Sequence, residues 1–420
     1  MTHRNHLVVT AGAALALSLS ISAQQPDAVA ALAQQAAVKA ALAAARTTDA
    51  QTVEDQIRFC EVPAPPFMET ARGELLQKTF VDLGLQRVRV DRAGNVLGER
   101  PGASARPHLV IAAHLDTVFP EGTPVKVRRD AAVLHGPGIG DDCRGLAEIV
   151  AIIRVMRDAH IETPGPITFV ADVGEEGLGD LRGMKALFGE TMKDQIDRFV
   201  SIDSDGLNVT THAVGSHRYR VTFKGPGGHS FASFGTPNPA GAMGRAIARI
   251  SELQVSSNPR TTFNIGRVGG GTSVNAIPTE TWMEVDLRST ESTSLRDLDA
   301  RFQSAVDAAV TEENRRWGKS GSNAVTVTKA LVGDRPAGTV AETAPILQTT
   351  FAVARALDIQ LQLAEGSTDS NVPISLGIPA VTIGAGGRGT DVHAETESYD
   401  TTDAWKGTQN ALLLTLALAR

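Results

Sequence analysis

Short apolar stretches alternate with amphipathic ones along most of the chain. Residues 108–114, 167–173, 198–203 and 380–384 are almost uniformly apolar over lengths typical of buried strands, whereas residues 145–156 have the apolar spacing of a helix. This alternation predicts an α/β fold with a mostly parallel sheet that is covered by helices on both faces.

The pattern changes near residue 212. Three stretches, RYRVTFKG, TTFNIGRVGGG and TWMEVDLRS, alternate polar and apolar residues as antiparallel strands do, with a helical stretch after the first and another after the third. The order predicts a small α+β, ferredoxin-like domain inserted into the larger one. We expect a catalytic domain in two parts, residues 24–210 and 326–420, with the inserted domain at residues 211–325.

The first residues are typical of a targeting segment. A basic start at Arg4 precedes an apolar run from Leu7 to about Ala23, which predicts a signal peptide over residues 1–23 that is cleaved after export. An uncleaved membrane anchor is the alternative, but the run is short and diluted by Thr, Ser and Gly. We therefore expect a secreted or periplasmic protein that has no membrane contact after cleavage.

Composition narrows the class of partner. The net charge is -7 and no basic patch stands out, so nucleic acid is not an expected partner. Two cysteines, Cys60 and Cys143, are too few for a disulfide framework. Export would permit one bridge between them, and the sequence leaves open whether they pair.

Acidic and imidazole side chains gather at predicted strand ends. In open α/β sheets, ligands bind beyond the carboxyl ends of the strands. The residues at predicted strand ends are His114, Asp116, Glu175, Glu176 and Asp203. Asp141 and Asp142 lie in the glycine-rich stretch before residue 145, and His393 lies in a loop after the last strand. One such residue alone is usually structural, but their recurrence along one sheet edge predicts a site.

Mixed imidazole and carboxylate donors suit Zn, Co or Mn better than Ca or Mg. The number of donors indicates two ions, which one carboxylate can bridge. The doubled aspartate in GPGIGDDCRG (136–145) is then either a doubled helix cap or a bridging ligand with a neighbour that need not bind metal.

Five motifs together resemble the M20 family (M20/M25/M40) of co-catalytic zinc metallopeptidases. They are HLD (114–116), GDDCRG (140–145), GEEG (174–177), SID (201–203) and HAE (393–395). The family includes peptidase T-like tripeptidases, carboxypeptidase G-type enzymes, dipeptidases and aminoacylases. The resemblance covers nearly all of the chain after the signal segment, including the inserted domain, which it identifies as a lid or dimerisation domain.

The resemblance implies two Zn²⁺ ions, with Co²⁺ or Mn²⁺ as substitutes. It assigns Asp141 as the bridging ligand, in an Asp–Asp peptide that is often cis in the family. It assigns His114 and Asp203 to one metal and His393 to the other, with Glu176 as a further ligand. Asp rather than Glu at position 203 is more typical of the family's aminopeptidases and dipeptidases.

The resemblance also implies roles for residues that do not bind metal. Asp116 would orient the His114 imidazole, and Glu175 would be the general base. His229, in GPGGHS (225–230), would reach the active site of a partner subunit in a homodimer and stabilise the oxyanion, although a surface histidine in a turn is the simpler interpretation. Asn275 and Arg288 would hold a substrate carboxylate or carbonyl.

Two stretches of the family pattern leave questions open. Cys143 stands where the family usually has lysine, and its thiol is either an inert helix residue or an oxidation-sensitive one. The stretch GSTDSN (366–371) resembles a family loop near the site, with no role that the sequence defines.

The sequence thus predicts an exported dizinc metallopeptidase for small peptides, of aminopeptidase (tripeptidase or dipeptidase) type, in which Glu175 activates a metal-bridged hydroxide. The alternative is an N-acyl or N-carbamoyl amino acid amidohydrolase that uses the same site. A non-catalytic binding protein is disfavoured because every ligand and the base are present. No G-x-S-x-G elbow occurs, and no helical pattern follows GAGGRG (384–389), which disfavours serine hydrolases and dinucleotide-binding enzymes.

Overall fold

The computed structural model describes residues 27–420, so the predicted signal peptide lies outside the described residues. The strands are β1 (Gln86–Val90), β2 (Val96–Arg100), β3 (Leu109–His114), β4 (Arg128–Asp130), β5 (Val133–His135), β6 (Ile167–Asp172), β7 (Arg198–Ile202), β8 (Asn208–Ala213), β9 (Gly215–Lys224), β10 (Gly228–His229), β11 (Thr261–Gly270), β12 (Ala276–Ile277), β13 (Glu280–Ser289), β14 (Thr326–Arg335), β15 (Gly338–Thr339), β16 (Gln362–Gly366), β17 (Ala380–Ile383), β18 (Arg388–Thr390) and β19 (Ser398–Asp400).

The α-helices of the described residues are α1 (Asp27–Gln34), α2 (Ala36–Thr47), α3 (Asp49–Cys60), α4 (Thr70–Asp82), α5 (Cys143–Asp158), α6 (Arg182–Ala186), α7 (Pro239–Ser251), α8 (Ser292–Trp317), α9 (Pro345–Leu357), α10 (Asn371–Ser375) and α11 (Trp405–Leu418). In this part of the chain, no single helix is long and apolar enough to cross a membrane. Helices α1 and α2, bent by 76° from each other, meet that criterion only when they are taken together.

The largest sheet has nine strands in the order β1-β2-β6-β3-β7-β17-β8-β15, with β16 also paired to β8. Its central strands β6, β3, β7 and β17 are parallel, and antiparallel pairs flank them. This arrangement confirms the predicted α/β class. Because the central strands are parallel, their carboxyl ends lie at one edge of the sheet.

Helices cover both faces of this sheet, as the apolar strands require. Along β3, Leu109, Ile111 and Ala113 enter one apolar cluster, which α5 and α11 complete. The alternate residues Val110 and Ala112 enter a second cluster on the other face. Burial of every β3 residue on both faces explains why its sequence is a continuous apolar run rather than an alternating one.

A second, four-stranded sheet is formed within the inserted part of the chain. Its order is β11-β13-β9-β14, all neighbours are antiparallel, and helices α7 and α8 pack on β9 and β13. The chain order is therefore β-α-β-β-α-β, as in ferredoxin-like domains. This sheet has its own core, which includes Phe223, Leu287 and Phe302.

The predicted boundary at residue 325 is wrong in one respect. Strand β14 (Thr326–Arg335) pairs with β9 along its whole length and so belongs to the second sheet. The inserted unit thus ends near Arg335, where the chain returns to the larger sheet through β15. This correction brings Arg335 to the junction between the two sheets.

Candidate metal centre

Neighbouring strands of the central sheet bring the predicted donors together. His114 is the last residue of β3, Asp203 follows β7, and Glu175 and Glu176 follow β6. His393 comes from the turn between β18 and β19, in a small sheet with β4 and β5. All of these side chains meet above the carboxyl edge of the parallel strands, as the sequence predicted.

The donor atoms form overlapping groups. Two groups share Asp141: one is His114, Asp141 and Asp203, and the other is Asp141, Glu176 and His393. A third group is His114, Glu175 and Glu176, and the donor atoms within each group lie within 4.8 Å of one another. Oδ1 of Asp141 is 2.9 Å from Nε2 of His114, and Oδ2 is 3.0 Å from Nε2 of His393. Nε2 of His393 is also 2.8 Å from Oε1 of Glu176. Asp141 therefore lies between the two groups, where a bridging ligand would be.

The doubled aspartate has two separate roles. Asp142 is the N-cap of α5, since its Oδ1 accepts a hydrogen bond from the amide of Gly145 at 3.0 Å. Its Oδ2 accepts the amide of His114 at 3.0 Å, so the same carboxylate fixes the end of β3. The peptide bond between Asp141 and Asp142 is cis, as the family resemblance implied. Capping by Asp142 leaves the Asp141 carboxylate free to face the donors.

Glu397 organises the glycine-rich loop before Asp141, a role that the sequence analysis did not predict. Its carboxylate accepts hydrogen bonds from the backbone amides of Gly138 at 2.7 Å, Gly140 at 2.8 Å and Asp141 at 3.2 Å. The side chain is buried, and burial raises the pKa of its carboxyl to about 7 despite these three donors. An acidic residue four positions after His393 was the one available signal.

Asp116 acts differently from the prediction. The Nδ1 of His114 is 3.0 Å from the Asp116 backbone carbonyl oxygen, whereas the Asp116 carboxylate is 3.7 Å away. That carboxylate accepts the amides of Glu175 at 3.0 Å and Glu176 at 2.9 Å. Asp116 thus orients the imidazole through its main chain and holds the Glu175–Glu176 turn through its side chain.

Glu175 points into the site beside the donors and is paired with Arg335. Nη1 of Arg335 donates to Oε1 of Glu175 at 3.2 Å and to Oγ of Ser367 at 3.1 Å, and Nη2 donates to the Glu175 carbonyl oxygen. Burial raises the pKa of the Glu175 carboxyl well above its usual range, and Arg335 opposes this. Ser367 belongs to the GSTDSN stretch, which therefore supports the partner of Glu175.

A cavity of about 430 Å³ opens beside these groups. Three arginines line it together with Asp141, Glu175, Glu176, Asp203 and His393. Arg288 donates to Asp286 at 2.7 Å, and Arg218 donates to Asp286 at 3.3 Å and to the Gly177 carbonyl oxygen. Sequence reasoning found Arg288 but missed Arg218 and Arg335, both of which come from strands of the second sheet.

His229 and Asn275 lie elsewhere in the chain. They sit beside each other where β10 pairs with β12, and His229 accepts the amides of Phe231 and Ala232 through Nδ1. Ser230 donates its amide to the Asn275 carbonyl oxygen at 2.9 Å. Both side chains are exposed, and neither lines the cavity within the described chain. A single chain therefore does not bring these two residues to the donor groups.

The charge balance of the donors fits bound cations. Burial raises the pKa of the Asp203 carboxyl to about 7, and the charge of Asp141 adds to this rise. Burial would also raise the pKa of Asp141, but hydrogen bonds with His114 and His393 hold it well below its usual range. Hydrogen bonds to Asp141 and Glu176 raise the pKa of His393 to about 10. So many carboxylates in one buried site require positive charge, and imidazole with carboxylate is the donor set that Zn²⁺ takes.

Comparison with known proteins agrees with this geometry. Residues 110–416 match the model of Peptidase family M20/M25/M40. Uncharacterized protein YqjE of Bacillus subtilis is 26% identical over 351 residues, which are 80% of this chain and 90% of that protein. Succinyl-diaminopimelate desuccinylase of Bordetella avium is 26% identical over 304 residues, 66% of this chain and 78% of that enzyme.

A solved structure has the same fold. Aminopeptidase PepT from Bacillus cereus superposes with a TM-score of 0.69 at 22% identity, over 88% of this chain and 98% of that one. Fold and site together define a metal-binding hydrolase of peptide or amide bonds. More particularly, the chain belongs to peptidase family M20/M25/M40.

Proposed function

We propose that the protein is an exported, co-catalytic dizinc peptidase that hydrolyses short peptides, of the tripeptidase or dipeptidase kind. The observation that carries the proposal is that Asp141 belongs to both donor groups while Glu175, next to ligand Glu176, faces the same cavity. Zinc ions held by the two groups would polarise the scissile carbonyl and acidify the attacking water.

The chain's own residues then carry the proton and orient the substrate. Glu175 takes the proton of the attacking water and delivers it to the leaving amine. The Asp116 carboxylate keeps Glu175 in place by accepting a hydrogen bond from the main-chain amide of Glu175. Arg218, Arg288 and Arg335 face the cavity, where a guanidinium binds the carboxylate of a short peptide in a bidentate manner. A cavity of this size suits a substrate of two or three residues.

A homodimer is part of the proposal, because His229 and Asn275 are exposed and remote from the cavity of their own chain. Large apolar side chains stand beside them in solvent: Phe231 is 87% exposed, Phe234 80% and Val274 fully exposed. Such a patch indicates a protein interface. In a dimer through the inserted domain, His229 would enter the partner's cavity and stabilise the developing oxyanion.

An N-acyl or N-carbamoyl amino acid amidohydrolase is the second candidate. It is favoured by the same arginines, since they would hold the carboxylate of an amino acid as well as that of a peptide, and by the alignment with a desuccinylase. Asp at position 203 favours the peptidase, by the family resemblance described above.

One experiment separates these candidates. The mature chain loaded with zinc is incubated with a mixture of tripeptides, dipeptides, N-acetyl and N-carbamoyl amino acids, and every component is followed by mass spectrometry. Loss of N-terminal residues from free peptides, absent with Glu175→Gln, supports the peptidase. Cleavage of the acyl or carbamoyl compounds alone moves the function to the amidohydrolase, and turnover of none of them refutes both.

A further inference from the structure

The two cysteines of the chain meet at the base of the metal loop. Cys60 is the last residue of α3 and Cys143 the first residue of α5, and both are fully buried. Both lie in one apolar cluster, where α3 packs against α5. The 420-residue sequence contains only these two cysteines, so each is the other's one candidate for a disulfide within these residues.

Both cysteines hold the same short piece of backbone. Sγ of Cys60 donates to the carbonyl oxygen of Pro137 at 3.4 Å, and the amide of Cys143 donates to the carbonyl oxygen of Gly138 at 3.3 Å. Pro137 and Gly138 begin the loop that ends at Asp141. The two cysteines therefore bind α3 and α5 to adjacent residues of the metal loop.

The surroundings keep the two sulfurs together. They lie in an apolar cluster with Val53, Leu134, Ile139, Tyr399 and Ala404. Arg72, which is also buried, fixes the end of α3 by donating to the Cys60 carbonyl oxygen at 3.4 Å and to the Leu115 carbonyl oxygen at 2.7 Å. Two cysteines held in one apolar cluster at the ends of two packed helices need little movement to bond.

We propose that Cys60 and Cys143 are an oxidation site at which a disulfide forms while the exported chain folds. This rests on the export that is part of the proposed function, because disulfides form and persist in oxidising compartments. In the folded protein, burial then shields the bond from reductants.

The chemistry is thiol–disulfide exchange with a small-molecule or protein disulfide as oxidant. One cysteine thiolate attacks a sulfur of the oxidant, forms a mixed disulfide and displaces the first thiolate. The second cysteine thiolate attacks the protein sulfur of the mixed disulfide and displaces the other. The two cysteines lose two electrons and two protons, and the oxidant becomes two thiols.

The bond would change the protein in a measurable way. It would close a long loop of chain, which in the chain-entropy account stabilises more than a short one. It would also tether the Asp141 loop to α3 whether or not metal is bound. We therefore expect the oxidised protein to unfold at a higher temperature than the reduced protein, with the difference largest in the absence of metal.

The test is refolding of the reduced, unfolded mature chain in oxidised and reduced glutathione. The product is denatured, alkylated without reductant, digested and mapped by mass spectrometry. The proposal predicts a peptide pair linking Cys60 to Cys143, two hydrogens lighter than the separate peptides, and a thermal midpoint above that of the same chain refolded in reductant alone. Alkylation of both cysteines in the refolded protein, or only mixed disulfides with glutathione, would overturn it.

Matched controls make the readout specific. The variants Cys60→Ala and Cys143→Ala should show no change in midpoint between oxidising and reducing buffer, and a similar change in either would contradict the assignment. Because the refolding arm needs neither export nor hydrolysis, failure of the proposed function leaves its result unchanged. A second arm compares protein from the periplasm and the cytosol of an expression host, with the linked peptide expected from the periplasm alone.

Discussion

Removing the Glu397 carboxylate should loosen the loop that carries the bridging aspartate. Three backbone amides, of Gly138, Gly140 and Asp141, donate to this one side chain, and Glu397 is buried. In Glu397→Ala all three donors lose an acceptor that is charged above its pKa of about 7, in a place that admits little water. The variant should therefore lose stability and bind metal more weakly.

The structure sets the size of both effects. A hydrogen bond to a charged group contributes about 1.5–3 kcal/mol, and a buried donor left without a partner costs about 1–3 kcal/mol. Since the three bonds share one carboxylate and the loop can relax, we expect a loss of roughly 3–5 kcal/mol rather than the full sum. Loss of a group that supports a metal ligand typically weakens metal binding by about 10–100-fold. Glu397→Gln, which keeps one acceptor oxygen, should show a smaller loss of both.

The assay is denaturant unfolding of the metal-free protein, together with a zinc titration of the folded protein by calorimetry. Glu395→Ala is the matched control, because Glu395 is exposed and lies in the same turn. The reasoning fails if Glu397→Ala and Glu395→Ala have the same unfolding midpoint and the same zinc affinity as the wild type.

Three further predictions address other parts of the account. An added Cβ at Gly145 would lie 2.3 Å from Asp142 Oδ1 and 2.5 Å from the Ile202 carbonyl oxygen, so Gly145→Ala should lower the free energy of unfolding by about 1–3 kcal/mol, measured with denaturant. The control Gly189→Ala, whose added Cβ has no atom within 4 Å, should leave it unchanged. Burial raises the pKa of Glu148 from 4.5 in the unfolded chain to about 8, so the free energy of unfolding of the wild type should fall as pH rises from 4.5 to 8 and level off above pH 8. A Glu148→Gln variant that shows the same fall would contradict this. If His229 acts in a partner's site, an equimolar mixture of inactive Glu175→Gln and His229→Ala chains, refolded together, should recover roughly a quarter of wild-type activity, because half of the dimers are mixed and each has one intact site. No recovery would contradict action of His229 in the partner's site.

The donors were predictable because their sequence context is local and regular. Apolar runs identify the central strands, and a parallel sheet brings the residues that follow them, such as His114 and Asp203, to one edge. The sequence alone did not decide which roles Asp141 and Asp142 have, because helix capping and metal binding both favour aspartate. The hydrogen bonds of Asp142 to Gly145 and His114 separate the two roles.

The supporting residues were not predictable in this way. Arg335 and Glu397 are single charged residues with no local pattern, and their contacts with Glu175 and the Asp141 loop join parts of the chain that are distant in sequence. Burial by the tertiary fold, rather than residue type, gives them a role. The boundary error at residue 325 added to this, since it placed residues 326–335, which end at Arg335, in the catalytic domain rather than in the inserted one.

The central claim is that two donor groups sharing Asp141 hold two metal ions for hydrolysis. Its most direct test is the zinc content of the stripped protein after reloading and removal of free metal, measured by native mass spectrometry. We predict two zinc ions per chain in the wild type and in Glu175→Gln, with peptide hydrolysis lost in the variant, and fewer than two zinc ions in Asp141→Asn. A wild type that binds at most one zinc ion, or an Asp141→Asn variant that still binds two, would contradict the shared-ligand account.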